Sequence, residues 1–210
     1  MTRIFIHGTG HKAASWKETL SYMQDSVDTL CPDLGSILNG RDVVYENLYS
    51  AFAEYCAGAG EQVQLCGLSL GGVLALNYTL DFPERVESLV LIGTPHKVPK
   101  AALAFQSAIF RLIPGRAFKD MAFDKRGTFS LTSSLKDMDF SSRTGEVRCP
   151  TLIICGEKDR ANIESARFLA RGIKGAELRI IEGAGHVVSE ERPEALAGVL
   201  TDFFRNVERH

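Results

Sequence analysis

The stretch QVQLCGLSLGGVLALNYTL, residues 62–80, decides how the chain is read. Val63 to Cys66 has the apolar, strand-forming character of a buried strand, and Val73 to Leu80 continues as an apolar helix. Between them Gly67-Leu68-Ser69-Leu70-Gly71-Gly72 forms the turn. A strand that runs straight into a helix leaves no room for a Cβ two residues to either side of the apex. Glycine at 67 and 71 therefore fits where larger residues would clash. A G-x-S-x-G in this strand–turn–helix setting lifts a serine hydroxyl above the end of a sheet. The Leu70 amide then falls at the helix N-terminus, with no helical partner, where it can face developing negative charge. Glycine-rich turns with a chance serine are common, so the weight of the motif depends on the rest of the chain.

The chain has 210 residues, is 45% hydrophobic and 24% charged, and carries a formal net charge of -2. That is the size and balance of one ordinary globular domain, here taken as residues 1–210. With no basic field, nucleic acid and anionic membrane are not expected partners, and the oligomeric state stays open. The 5 cysteines (31, 56, 66, 149 and 155) form no C-x-x-C, and they read as core or near-core thiols in a reducing compartment. No basic-then-apolar export pattern precedes the first strand and no apolar run reaches membrane-spanning length, so a cytoplasmic protein is expected.

Strands are expected at 3–7, 27–31, 63–66, 86–92, 151–155 and 177–181. Helices are expected from about Ala14, and at 42–56, 73–80, 161–171 and 193–207, with 33–40 as loop. Short apolar strands alternating with helices predict an α/β fold, a mostly parallel sheet of about six strands covered on both faces. His96 to Arg148 breaks the alternation and holds half of the 12 phenylalanines. A segment of this length in a compact chain predicts a small helical lid, approximately 96–148, favoured over an extra helical layer that only adds core, and its Phe105 and Phe110 are the candidate substrate contacts.

Sites in such sheets lie at the carboxyl ends of the strands, and His7, Ser69, Thr94, Asp159 and His186 all fall there. Ser69 needs a base, and His186, in the glycine-rich loop 182–186 after the last strand, is the candidate. The base needs a carboxylate to hold its tautomer. Asp159 is favoured, with Glu157 the nearest rival. The second oxyanion donor beside Leu70 is expected from the loop after the first strand, at the Thr9 amide, with His7 holding that loop. No metal-ligand spacing is visible and no cofactor is expected.

HGTG (7–10), GLSLGG (67–72), GEKD (156–159), GAGH (183–186) and SEERPEAL (189–196) together resemble the α/β-hydrolase fold family of the lipase, esterase and peroxidase-like type. The motifs span nearly the whole chain. The resemblance implies Ser69 as nucleophile, Asp159 as acid, His186 as base and an oxyanion hole from the Thr9 and Leu70 amides. The chain order serine, aspartate, histidine is that family's order. The chain begins at the H-G strand, so a sheet truncated at its start is expected. Hydrolysis of a small, mainly apolar carboxylic ester is the expected activity. Carbon–carbon bond cleavage, a lyase or perhydrolase reaction, and small-molecule binding on the same scaffold are the alternatives.

Overall fold

The computed structural model describes residues 2–23, 27–98, 115–118 and 121–209. Among the described residues there are six strands: β1 (Thr2–Ile6), β2 (Asp28–Leu30), β3 (Val63–Leu68), β4 (Val86–Ile92), β5 (Thr151–Gly156) and β6 (Glu177–Ile181). They form one sheet in the order β2-β1-β3-β4-β5-β6, and every pairing is parallel. The chain leaves β1 for one edge and returns to β3 on its other side. The carboxyl ends of β1 and β3 therefore flank the point where the winding direction reverses, which is where ligands bind in open parallel sheets.

Side-chain alternation along the strands sorts the core into two layers. Ile4, Ile6, Leu65, Leu89, Leu91 and Ile153 face one side. There they meet α3 (Tyr45–Gly58), α4 (Leu70–Asp81), α5 (Lys125–Ser134) and α6 (Ile163–Gly172). Phe5, Cys66, Val90, Ile92 and Ile154 face the other side, against Trp16, α1 (Lys17–Tyr22), α7 (Val188–Glu191) and α8 (Pro193–Val207). The helix that carries the serine turn, α4, is buried on almost every face, with only Asn77 and Asp81 reaching the surface. That explains why its sequence is apolar all round instead of amphipathic.

Two expectations change. Residues 33–40 are not all loop, because Leu34–Ile37 forms a short helix, α2, whose N-cap Asp33 accepts a hydrogen bond from the Ser36 amide at 3.1 Å. The segment 96–148 is also more than a lid. Phe123, Leu131, Phe140 and Val147 sit in the same core layer as the sheet's own side chains. The expected apolar helix at 101–113, with Phe105 and Phe110, lies outside the described residues. Among the described residues no helix is long and apolar enough to cross a membrane.

Candidate active site

Ser69 follows β3 with φ 54 and ψ -114, a backbone conformation that residues with a Cβ rarely adopt. Its amide donates to the Ile92 carbonyl at 2.8 Å and its carbonyl accepts from the Val73 amide at 3.0 Å, so neighbours on both sides lock the strained turn. A Cβ at Gly67 would overlap the backbone of Gly71, and a Cβ at Gly71 would overlap the Ile6 carbonyl. Gly72 is packed equally tightly against Thr94. Leu70 is the first residue of α4, so its amide has no helical acceptor.

Across the turn, the loop after β1 is held by His7. Its fully buried ring contacts the Gly8 carbonyl through Nδ1 at 2.8 Å and accepts from the Leu34 amide through Nε2 at 3.0 Å. Both bonds together require the neutral ring with its proton on Nδ1. Burial pushes its pKa below the ordinary histidine value, which favours the same state. His7 thus ties the Thr9 loop to α2, the structural part expected of it.

The His186 Nδ1 lies 2.7 Å from Asp159 Oδ2. The carboxylate is 4% exposed and the ring 38%, so the acceptor is hidden while the imidazole stays within reach of a ligand. Asp159 also accepts from the Asn162 side-chain amide at 3.0 and 2.9 Å and from the Asn162 backbone amide at 3.3 Å. Burial works to raise its pKa, but the His186 and Asn162 hydrogen bonds outweigh it and hold the carboxyl below its ordinary value. The rival carboxylate is occupied elsewhere, since Glu157 accepts from the Gly183 amide at 2.9 Å.

Gly93, at φ 53, lies beneath the pair, and a Cβ there would stand 3.1 Å from His186 Nδ1 and 3.2 Å from Asp159 Oδ2. The loop that carries His186 is fixed by Glu191. Its carboxylate accepts from the amides on either side of the histidine, Gly185 at 2.7 Å and Val187 at 3.1 Å. Glu191→Ala is expected to lower kcat about 10-fold or more, because small misplacements of a catalytic group are costly, with KM changed much less. Steady-state kinetics beside a thermal melt check this, and equal loss in both kinetic constants would show that Glu191 does not act by orienting His186.

Thr9, Ser69, Leu70, Asp159 and His186 line one cavity of about 570 Å³. Asn162 and Gly93 belong to no motif in the sequence, and Glu191 lies in the SEERPEAL stretch (189–196) with nothing there to mark its role. Asn162 stands three residues after Asp159, a spacing that reads only as a local turn.

The family model for the alpha/beta hydrolase family matches residues 4–199. This chain belongs to the alpha/beta hydrolase family. It is 26% identical over 252 residues to the 2-hydroxy-6-oxononadienedioate/2-hydroxy-6-oxononatrienedioate hydrolase of Klebsiella pneumoniae, spanning 96% of this chain and 86% of that one. In fold it resembles the enol-lactonase of Burkholderia xenovorans (TM-score 0.82, 17% identity, covering 97% of this chain and 91% of the other). It also resembles a thermophilic esterase of Thermogutta terrifontis (TM-score 0.77, 19% identity, covering 99% and 90%). The hydrolase fold and hydrolase relatives agree with an enzyme that splits its substrate with water.

Proposed function

We propose that the protein is a serine hydrolase that acts on small carboxylic esters through an acyl-enzyme on Ser69. The observation that carries this reading is the 2.7 Å contact between His186 Nδ1 and Asp159 Oδ2, beside a cavity that Ser69 shares. With Nδ1 turned to the carboxylate, Nε2 is the nitrogen left to take the serine proton. Ser69 Oγ then bonds to the carbonyl carbon, and the amides of Leu70 and Thr9 hold the oxyanion. His186 returns its proton to the departing alkoxide, which leaves the acyl group on Ser69. Water gives a proton to His186 and attacks the acyl carbon, and Ser69 leaves as the alcohol with the acid released. Every step uses the chain's own groups, and Val73, Leu135 and Met138 give the cavity an apolar wall suited to an acyl chain.

Labelling with a fluorophosphonate, beside hydrolysis of p-nitrophenyl esters of rising chain length, tests the proposal. Wild type is expected to be labelled and to turn over some of the series, and Ser69→Ala to lose the label. Labelling that survives in the variant would overturn it. A second reading draws on the Klebsiella pneumoniae relative, whose named substrates are hydroxy-oxo dioates with no ester bond, so that hydrolysis must split a carbon–carbon bond. Consumption of such a dienedioate by the wild type, with p-nitrophenyl esters untouched, would favour that reading.

A further inference from the structure

One side chain on the cavity wall has no part in the reaction just described. His96 follows β4, is 9% exposed and lines the cavity with Ser165 and Lys97. Its ring stacks on Phe168, with centroids 4.2 Å apart and planes at 18°, and its Nδ1 lies 2.9 Å from Ser165 Oγ. Ser165 and Phe168 are three residues apart on α6, so a single helix face grips the ring. The loop is fastened from the opposite side. The His96 carbonyl accepts from the Phe140 amide at 2.8 Å, the Val98 amide donates to Met138 at 3.0 Å, and Lys97 bridges Asp139 through the backbone.

The ring is thus held on both sides, and its other nitrogen takes no part in the holding. Among the described residues, His96 Nε2 has no hydrogen-bond partner. A ring nitrogen held rigid on a cavity wall and left without a protein partner is one that a ligand can satisfy. Burial and then the Lys97 charge lower the His96 pKa, so the ring is neutral and the positive charge at this end of the cavity belongs to Lys97. Of the carboxylates nearby, Glu164 lines the cavity and is engaged by Arg167 at 2.6 Å, while Asp139, whose charge acts on both His96 and Lys97, lies outside the lining. The surrounding walls, Val73, Val98, Leu135 and Met138, are apolar.

We propose that His96, Ser165 and Lys97 form a subsite for a second polar group of the substrate, a carboxylate at the far end of an apolar chain. The proposal rests on the reading of this cavity as the active site. It narrows the substrate class from apolar esters to acidic ones, such as half-esters of short dicarboxylic acids. Ser165 donates to His96 Nδ1, His96 Nε2–H donates to the carboxylate, and Lys97 supplies the opposite charge. The three groups outline a site where charge-assisted hydrogen bonding reads the end of the chain.

The test compares mono-p-nitrophenyl glutarate with p-nitrophenyl butyrate in wild type, Lys97→Gln and His96→Gln. The glutarate-to-butyrate ratio of kcat/KM is expected to fall about 10-fold in each variant, and to fall with added salt in wild type. An unchanged ratio in both variants would overturn the proposal. Lys97 is exposed, so its variant folds even if the His96 variant does not. Calorimetric titration with glutarate reads the subsite without turnover. Binding that Lys97→Gln weakens supports the subsite even where Ser69 proves unreactive, and no binding by wild type overturns it even where esters are hydrolysed.

Discussion

Ser69→Gly is expected to abolish ester turnover and at the same time to raise the melting temperature. The residue sits at φ 54 and ψ -114, a region that costs a residue with a Cβ about 1–3 kcal/mol. Glycine removes that cost, while its greater freedom in the unfolded chain takes back roughly 0.4–1 kcal/mol. The balance is about 1 kcal/mol in favour of the folded variant, worth about 2–4 °C for a chain of this size. Ser69→Ala keeps a Cβ and hence the strain, so its melting temperature should match the wild type. Both variants lack the hydroxyl, and kcat should drop roughly 10⁴-fold or more in each. Thermal melts of the three proteins beside ester kinetics check this. Turnover in either variant would remove Ser69 from the chemistry. A melt for Ser69→Gly no higher than that of Ser69→Ala would show that the turn stores no strain.

The same turn was legible in the sequence because its requirements are local. Gly67 and Gly71 are forced by contacts within one strand–helix unit and its neighbouring strand β1. β4, β6 and α8 begin and end where the apolar runs, glycines and prolines put them. What escaped was set by contacts distant in sequence. Four residues containing Gly35 and Ser36 make a poor helix by propensity, and α2 forms because Asp33 caps it and His7 accepts its first amide from 27 residues away. Phe123 and Phe140 looked like lid residues because their neighbours carry no strand pattern, yet they fill gaps beside the sheet.

The candidate site divides along the same line. Ser69, Asp159 and His186 announce themselves because each is a reactive side chain in a loop after a strand. Glu191 and Asn162 act on backbone amides and on another carboxylate, and no residue pattern encodes which amide a glutamate will meet. His96 lies in a segment whose most conspicuous feature is its phenylalanines, while its own partner, Ser165, lies 69 residues further on.

Asp159→Asn should cost about 10⁴ in kcat, and the reason lies in how Asn162 surrounds the carboxylate. One oxygen of Asp159, Oδ1, receives two donors, the backbone amide of Asn162 at 3.3 Å and its side-chain amide at 3.0 Å. The other, Oδ2, receives the Asn162 side chain at 2.9 Å and faces His186 Nδ1 at 2.7 Å. An asparagine keeps one acceptor, and the two donors draw it to the Oδ1 position. Its NH2 group then points at His186 Nδ1, which must accept, and the ring proton moves to Nε2. An imidazole in that tautomer cannot take the proton of Ser69. The substitution preserves shape, so KM should change little, but the variant lacks the ionised carboxylate and should melt below wild type near neutral pH. Acid should bring the two melting temperatures together. The folded pKa of Asp159 lies below its ordinary 3.8. Such a carboxylate contributes stability above the unfolded value and loses it as pH falls through the folded one. Wild type should therefore lose this contribution below about pH 4, a loss that Asp159→Asn, with nothing to titrate at this position, does not share. Kinetics at neutral pH and melts from pH 7 downward test both parts. A variant that keeps wild-type kcat would show that the base does not depend on this carboxylate, and parallel acid melts would show that the hydrogen bonds around Asp159 leave its folded pKa where it is in the unfolded chain.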